Sequence, residues 1–231
     1  MYDRAQVRPA TDRLWGVMRA ALGFGPESLT RSDDPWEDWR SPDLLFSQTC
    51  GLPFRMELHE RLHLIGAPDH QLDGCPAGFY RSVFLARKDD PRDVVSRFEG
   101  ATLAFNSRDS QSGWAAPIAE GIGFSPGPET GSHRDSARAV ADGRAEITAL
   151  DAVTWEMLKT HDDFAGELKV VGWTKPTPAL PFVTARPDMI EPLGDALDHA
   201  LGTLTPSEKA TLHLYRRVYI AKEDYMNIPL P

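Results

Sequence analysis

Short apolar runs alternate with helix-period segments along much of this chain, and that alternation constrains its fold more than any other feature. "ATLAFN" is followed by "SGWAAPIAEGI", and "EITALD" runs straight into "AVTWEMLK". "LKVVGWT" and the proline-containing "TPALPFVTAR" lead to "IEPLGDALDHALGTL". A strand that repeatedly hands over to a helix buries its faces only in an α/β layering with mostly parallel sheets. The remaining segments fit that scheme. "AQVRPATDRLWGVMRAAL" places Val7, Leu14, Met18 and Leu22 near helical spacing. "DLLFSQ", "LHLIGAP" and "YRSVFLARK" read as strands, and "DPRDVVSRFEG" as a short helix closed by Gly100. "GPETGSHRDSARAVADGRA" holds a helix from about Ser132 to Gly143, and "PSEKATLHLYRR" one more. "DYMNIPLP" reads as a loop-like tail.

The bulk numbers narrow the class. A chain of 231 residues makes one large domain or two small ones. The formal net charge of −9 argues against a nucleic-acid binder, which shows a basic face. It leaves room for a small anionic ligand, because local donors oppose a global charge. No run of about 18 apolar residues is present to span a membrane, and charges interrupt the first twenty residues where a signal peptide needs an apolar stretch. Cys50 and Cys75 sit in no CxxC pair, and no zinc spacing occurs, so neither a metal nor any other cofactor is expected. In a reducing compartment they are two thiols. In an oxidising one they could close a loop of about 25 residues.

In open α/β sheets ligands bind beyond the carboxyl ends of the strands, so the residues just after each strand carry the information. After "LAF" comes "NSRDSQSG", with Ser110, Gln111, Ser112 and Gly113 where a helix begins. Unpartnered amides, the positive end of the helix dipole and two hydroxyls compose an anion cradle. Taken alone, an ordinary cap by Asp109 or Ser110 explains the same residues better, since caps far outnumber anion sites. His133 opens a second helix behind Thr130 and Ser132, where a surface or capping role is the ordinary one. Asp151 ends a strand and either accepts from a ligand or caps the next helix. Tyr80, Arg81 and Ser82 enter a strand, Gln48 and Thr49 leave one, and Tyr2 stands before the first helix. No GxSxG, HExxH, P-loop or spaced-glycine fingerprint is present, and nothing fixes a nucleophile beside a base.

Taken in order, these strand ends resemble one family. "FYRSVFLARKDDP" resembles the segment of phosphonate-type substrate-binding proteins in which an aromatic residue and a serine lead into a strand followed by R-x-D-x-P. "LAFNSRDSQSGWAAP" resembles that family's strand, S-T-S-G and helix. "TGSHRDSARAVADGRAEITALD" resembles its T-G-S-H motif with the distal aspartate, and "LPFVTA" its return strand. Order and spacing agree across residues 78–151, and the resemblance covers about two thirds of the chain. It implies the type II periplasmic-binding-protein fold: two α/β lobes, residues 1–82 with 177–231 and residues 83–176, with crossings near Ser82–Phe84 and Gly172–Pro178 and the ligand in the cleft.

The implied function is that of the solute-binding component of an ABC importer for phosphate, phosphite or a phosphonate, a monomer that meets a membrane permease if exported. Residue by residue, the resemblance makes Ser110, Gln111, Ser112 and Gly113 the phosphonyl-binding helix start and His133 a ligand contact. Tyr80 becomes a cleft aromatic, Asp151 an acid for a ligand amine, and Tyr2 the tyrosine after the first strand. No catalytic residue is implied.

Three departures stand out. Gln111 replaces a threonine, exchanging a hydroxyl for an amide. No export signal is present. Only Met1 precedes Tyr2, where the family has a strand, so the expectation is a native chain that starts upstream. The protein is then periplasmic and Cys50 pairs with Cys75. A true start at Met1 makes it cytoplasmic, and the rival is an enzyme or sensor of the same fold acting on a small acidic metabolite, with Asp151 or His133 as acid or base.

Overall fold

The computed structural model describes residues 2–32 and 34–231. Met1, on which the expectation about the chain start turns, lies outside them. In chain order the elements are α1 (Arg8–Leu22), α2 (Pro35–Arg40), β1 (Ser47–Gln48), α3 (Gly51–Met56), β2 (His63–Asp69), β3 (Phe79–Tyr80) and β4 (Ser82–Arg87). Next come β5 (Thr102–Phe105), a π-type turn (Gln111–Ala115) running into α4 (Ala116–Ala119), β6 (Ser125–Glu129), α5 (His133–Ala141), β7 (Ile147–Asp151) and α6 (Ala152–His161). The rest are β8 (Leu168–Trp173), β9 (Thr177–Pro178), β10 (Phe182–Thr184), α7 (Ile190–Thr203), α8 (Pro206–Leu212), β11 (Arg216–Val218) and α9 (Lys222–Met226). The chain divides into two compact units. An outer unit holds Tyr2–Phe79 and Pro178–Asn227, and a middle unit holds Tyr80–Thr177 with Ile228–Pro231.

The outer unit is built on a four-stranded sheet in the order β1-β10-β2-β11, antiparallel at every pair. Helices α1 and α7 cover it. The i, i+4 spacing of Leu14 and Met18 puts both on one face of α1, against Ile65, Phe182, Leu193, Leu197 and Leu201. Each such side chain contributes roughly 1.5–3 kcal/mol on burial. Gly23 stops α1 by taking φ 76°, which lets its N–H reach Arg19 O. Helix α8 begins with a reciprocal capping box between Thr205 and Glu208.

The middle unit has a five-stranded sheet in the order β6-β5-β7-β4-β8. Strand β5 is parallel to β6 and β7, while β4 is antiparallel to β7 and β8. Side chains alternate along β4. Val83 and Leu85 join Val140, Leu150 and Leu158 on one face, and Phe84 and Ala86 join Phe98, Phe105 and Trp114 on the other.

The α/β class is as expected, but neither sheet is mostly parallel: the outer one is antiparallel at every pair, and the middle one is mixed because β4 runs against both of its neighbours. Local readings fail where tertiary contacts decide. In "DLLFSQ" only Ser47–Gln48 is a strand; Leu45 and Phe46 pack against the α1 core as irregular chain, and Leu44 O accepts from Ala185 N. "DPRDVVSRFEG" forms only a 3-10 turn at Val95–Phe98, pinned by buried Phe98; Glu99 caps it, and Gly100, at φ 75°, donates its N–H to Gly123 O instead. The proline-rich "SPGPE" carries no strand signal of its own. It pairs with β5 at the sheet edge, where a missing N–H costs nothing. "PSEKATLHLYRR" is a helix only to Leu212, because His213 turns left-handed and Arg216–Val218 becomes an edge strand. The tail is not all loop: Lys222–Met226 is helical, anchored by the buried Tyr225 hydroxyl donating to Ala179 O at 2.7 Å.

Candidate functional site

The carboxyl ends of β5, β6 and β7 fall on one edge of the middle sheet because these three strands run parallel. The turns that leave these strands are therefore gathered in one place. After β5 come residues 106–110 and the π-type turn, after β6 come Thr130 and Ser132 with His133 at the start of α5, and β7 ends on Asp151. The antiparallel β4 starts at the same edge, so Ser82 lies directly opposite Asp151.

The first turn after β5 is wound around Ser110. Its hydroxyl accepts from Gly113 N at 3.0 Å, and its carbonyl accepts from both Trp114 N and Ala115 N. The five-residue spacing leaves the amides ahead of Trp114 outside the helical ladder. Ser110, Gln111 and Ser112 are all buried. Thr130 ties the next turn to this one: its N–H and its hydroxyl both donate to Phe105 O, at 2.9 and 3.1 Å. Ser132 caps α5 by accepting from Asp135 N at 3.0 Å, which fixes His133 in the first helical position.

His133 is the centre of the cluster. Its Nε2 lies 3.0 Å from Ser112 Oγ and 3.6 Å from Asp151 Oδ2. Burial lowers the imidazole pKa, with the Asp151 carboxyl opposing that shift, so the ring stays neutral at neutral pH. Its Nδ1 is buried with no hydrogen-bond partner among the described residues. Asp151 Oδ1 accepts from Thr154 N at 2.8 Å and so caps α6 as well as facing His133. Of the two roles that the sequence left open for Asp151, the helix cap is the one its Oδ1 holds.

A serine, a histidine and an aspartate together invite comparison with a catalytic triad. The geometry is different. A triad needs the serine on one ring nitrogen and the aspartate on the other, whereas here both approach Nε2. The arrangement offers neutral donors beside a carboxyl group, which suits binding an oxyanion.

The structure thus brings Ser110, Gln111, Ser112, Gly113, His133 and Asp151 together within one unit. Tyr80 is in the same unit, fully buried in β3. Tyr2 belongs to the outer unit, with its ring edge-on to His70 at 6.0 Å, and is not among the gathered residues. Gln48 is used structurally, its amide donating to Leu180 O at 3.1 Å. Cys50 precedes α3 and Cys75 follows a turn at Leu72; both are half-buried in the outer unit. Asn106 joins the cluster although no motif singles it out. Its Oδ1 is buried with no hydrogen-bond partner among the described residues and fills the space beside Gly113 where a Cβ would stand. Its position directly after β5 is the signal that could have found it. Among the described residues, no group of three or more His, Cys, Asp or Glu side chains is placed to hold a metal ion.

Residues 58–222, more than two thirds of the chain, match the family described as ABC transporter, phosphonate, periplasmic substrate-binding protein. The chain belongs to that family. Its members are the substrate-binding components of transporters, with a small ligand and a permease as partners. No curated protein matches the sequence. Among solved structures, PhnD1 of Prochlorococcus marinus in complex with methylphosphonate superposes with a TM-score of 0.74 at 16% identity, covering 96% of this chain and 91% of that one. The binding-protein component of a phosphonate ABC transporter of Pseudomonas aeruginosa gives 0.68 at 18% identity, over 97% and 80%. A Xanthomonas citri protein bound to ATP gives 0.66 at 18% identity, over 96% and 90%. These likenesses establish the two-lobed type II periplasmic-binding-protein fold. Among the described residues no helix is long and apolar enough to cross a membrane.

Proposed function

We propose that this protein binds a small phosphorus oxyanion (phosphate, phosphite or a phosphonate) and presents it to an ABC permease without altering it. The observation that carries the reading is the buried contact of Ser112 Oγ with His133 Nε2, 3.0 Å long, at the shared carboxyl edge of three parallel strands in a member of the phosphonate-binding family. Ser110, Gln111, Ser112 and Gly113 supply hydroxyl, amide and backbone donors, His133 supplies one more, and Asp151 accepts from an acidic hydroxyl or an amine on the ligand. The glutamine at 111 adds an amide where the related motif has a threonine, and so bears on which anion is preferred. Tyr80 packs the organic part. The enzyme or sensor alternative is not favoured, because the family that matches the chain is one of transport binding proteins. A periplasmic location and a Cys50–Cys75 disulfide belong with this reading.

Isothermal titration with methylphosphonate, phosphite and inorganic phosphate tests it, with phosphorus NMR of the recovered ligand. Saturable binding and unchanged ligand are expected. Turnover of the ligand, or no binding of any of the three, overturns the proposal.

A further inference from the structure

Which nitrogen of His133 carries the proton decides what Ser112 can offer an anion, given the binding role just proposed. The ring is neutral: burial lowers its pKa and the positively charged N-terminus acts the same way, against the Asp151 carboxyl. A neutral imidazole has one N–H and one bare nitrogen, and the partners of each nitrogen set which is which. With the proton on Nδ1, Nε2 accepts from the Ser112 hydroxyl. The serine then has only lone pairs to turn toward an oxyanion, and these repel it. With the proton on Nε2, the ring donates to Ser112 Oγ and the serine keeps its own proton for the ligand.

The surroundings of the ring select the second form. Nδ1 is buried and has no hydrogen-bond partner among the described residues. An N–H there would be an orphaned donor, which folded proteins tolerate less well than a spare lone pair. Nε2 faces oxygen on two sides, Ser112 Oγ at 3.0 Å and Asp151 Oδ2 at 3.6 Å. The shorter distance is that of a hydrogen bond and the longer one is not, so the N–H belongs to Ser112. Among the described residues, the contact with Nε2 is the one hydrogen bond that Ser112 Oγ makes, so the serine proton finds no other acceptor there. Nor is Ser112 needed to hold the turn, since Ser110 Oγ is the atom that accepts from Gly113 N. Gly113 lets the two meet: His133 Cε1 lies 3.1 Å from where a Cβ on residue 113 would stand.

We infer that His133 is a positioning residue for Ser112: Nε2–H donates to Ser112 Oγ, and the Ser112 hydroxyl donates its own proton to a ligand oxygen. The donor that His133 supplies thus reaches the anion through the serine. A hydroxyl that accepts at one side while it donates at the other is polarised, and each bond of such a chain strengthens the next. The N–H also occupies the side of Oγ that faces the ring, so the hydroxyl proton cannot turn back onto the imidazole. No covalent bond changes and no proton is transferred.

Long-range proton–nitrogen NMR on protein with isotope-labelled histidine reads the tautomer directly, the His133 signals being assigned by their loss in His133→Gln. A bare Nδ1 and a protonated Nε2 are expected with and without methylphosphonate. A protonated Nδ1 overturns the inference. Titration calorimetry with methylphosphonate then closes a double-mutant cycle. His133→Leu should weaken binding roughly tenfold or more. His133→Gln, whose amide can donate to Ser112 in place of Nε2–H, should recover most of that loss. In the Ser112→Ala background the His133→Leu change should cost less than about twofold, because the residue through which the histidine acts is gone. The full loss in both backgrounds means that His133 touches the anion itself, and it overturns the inference. So does a His133→Gln protein that binds no better than His133→Leu, and either result leaves the binding role standing. A thermal melt shows which variants fold, and where one does not, the tautomer in the unaltered protein decides. No heat from the unaltered protein with methylphosphonate, phosphite or inorganic phosphate overturns the binding role and this inference together.

Discussion

Asn106 Oδ1 occupies the space in which a side chain on Gly113 would begin, and His133 Cε1 closes it from the other side, 3.1 Å from where a Cβ would stand. Gly113 is thus required by its neighbours within the protein, which meet over it. The Gly113→Ala protein must push Asn106 or His133 out of place. Overpacking of this kind costs about 1–3 kcal/mol. Urea denaturation should show a lower midpoint, and calorimetry weaker oxyanion binding. An unchanged midpoint would mean that Asn106 swings away freely.

Ser112 donates or accepts at the centre of the cluster, so Ser112→Ala removes one proposed ligand partner and leaves His133 Nε2 facing Asp151. Loss of about 1–3 kcal/mol of binding free energy to methylphosphonate is expected, with the fold retained. Titration calorimetry beside a thermal melt separates the two. Equal affinity of variant and wild type would place the anion elsewhere.

Stability should fall on the acid side because of His133. Burial lowers its pKa in the folded protein below the ordinary 6.5. Between those two values the unfolded chain holds more protons than the folded one, so acid favours unfolding. The contribution is present above pH 6.5 and is lost as the pH falls toward the folded value, with a slope of at most about 1.4 kcal/mol per unit. Urea unfolding at a series of pH values should show a shallower acid slope for His133→Gln than for wild type. Parallel slopes would contradict the neutral buried ring.

Cys50 and Cys75 are expected to pair in protein folded under oxidising conditions. Closing a loop of about 25 residues stabilises by roughly 3 kcal/mol in the chain-entropy picture. Mass spectrometry after alkylation with and without reduction reads the state directly. Two alkylated thiols in the unreduced, periplasm-matured protein would rule the disulfide out.

The α/β class, the strand ends that matter and the order in which they come are all legible in the amino-acid sequence. Hydrophobic period and capping residues are local, and Ser110, Ser132 and Asp151 cap the helices they precede. The motif series around Ser110–Gly113, His133 and Asp151 is legible too, because the side chains gathered here lie just after strand ends.

Long-range packing sets the rest. Strand direction depends on which neighbour a strand finds, so the antiparallel outer sheet and the mixed middle one could not be read from apolar runs. The prolines of "SPGPE" pass as a strand only because β6 lies at an edge, and Tyr225 makes its segment a helix by reaching Ala179. Above all, the sequence holds serine, histidine and aspartate without saying which nitrogen each would meet. Only the convergence of parallel β5, β6 and β7 brings Ser112 and Asp151 to the same side of one buried imidazole. That geometry turns a set of common polar residues into a candidate oxyanion site.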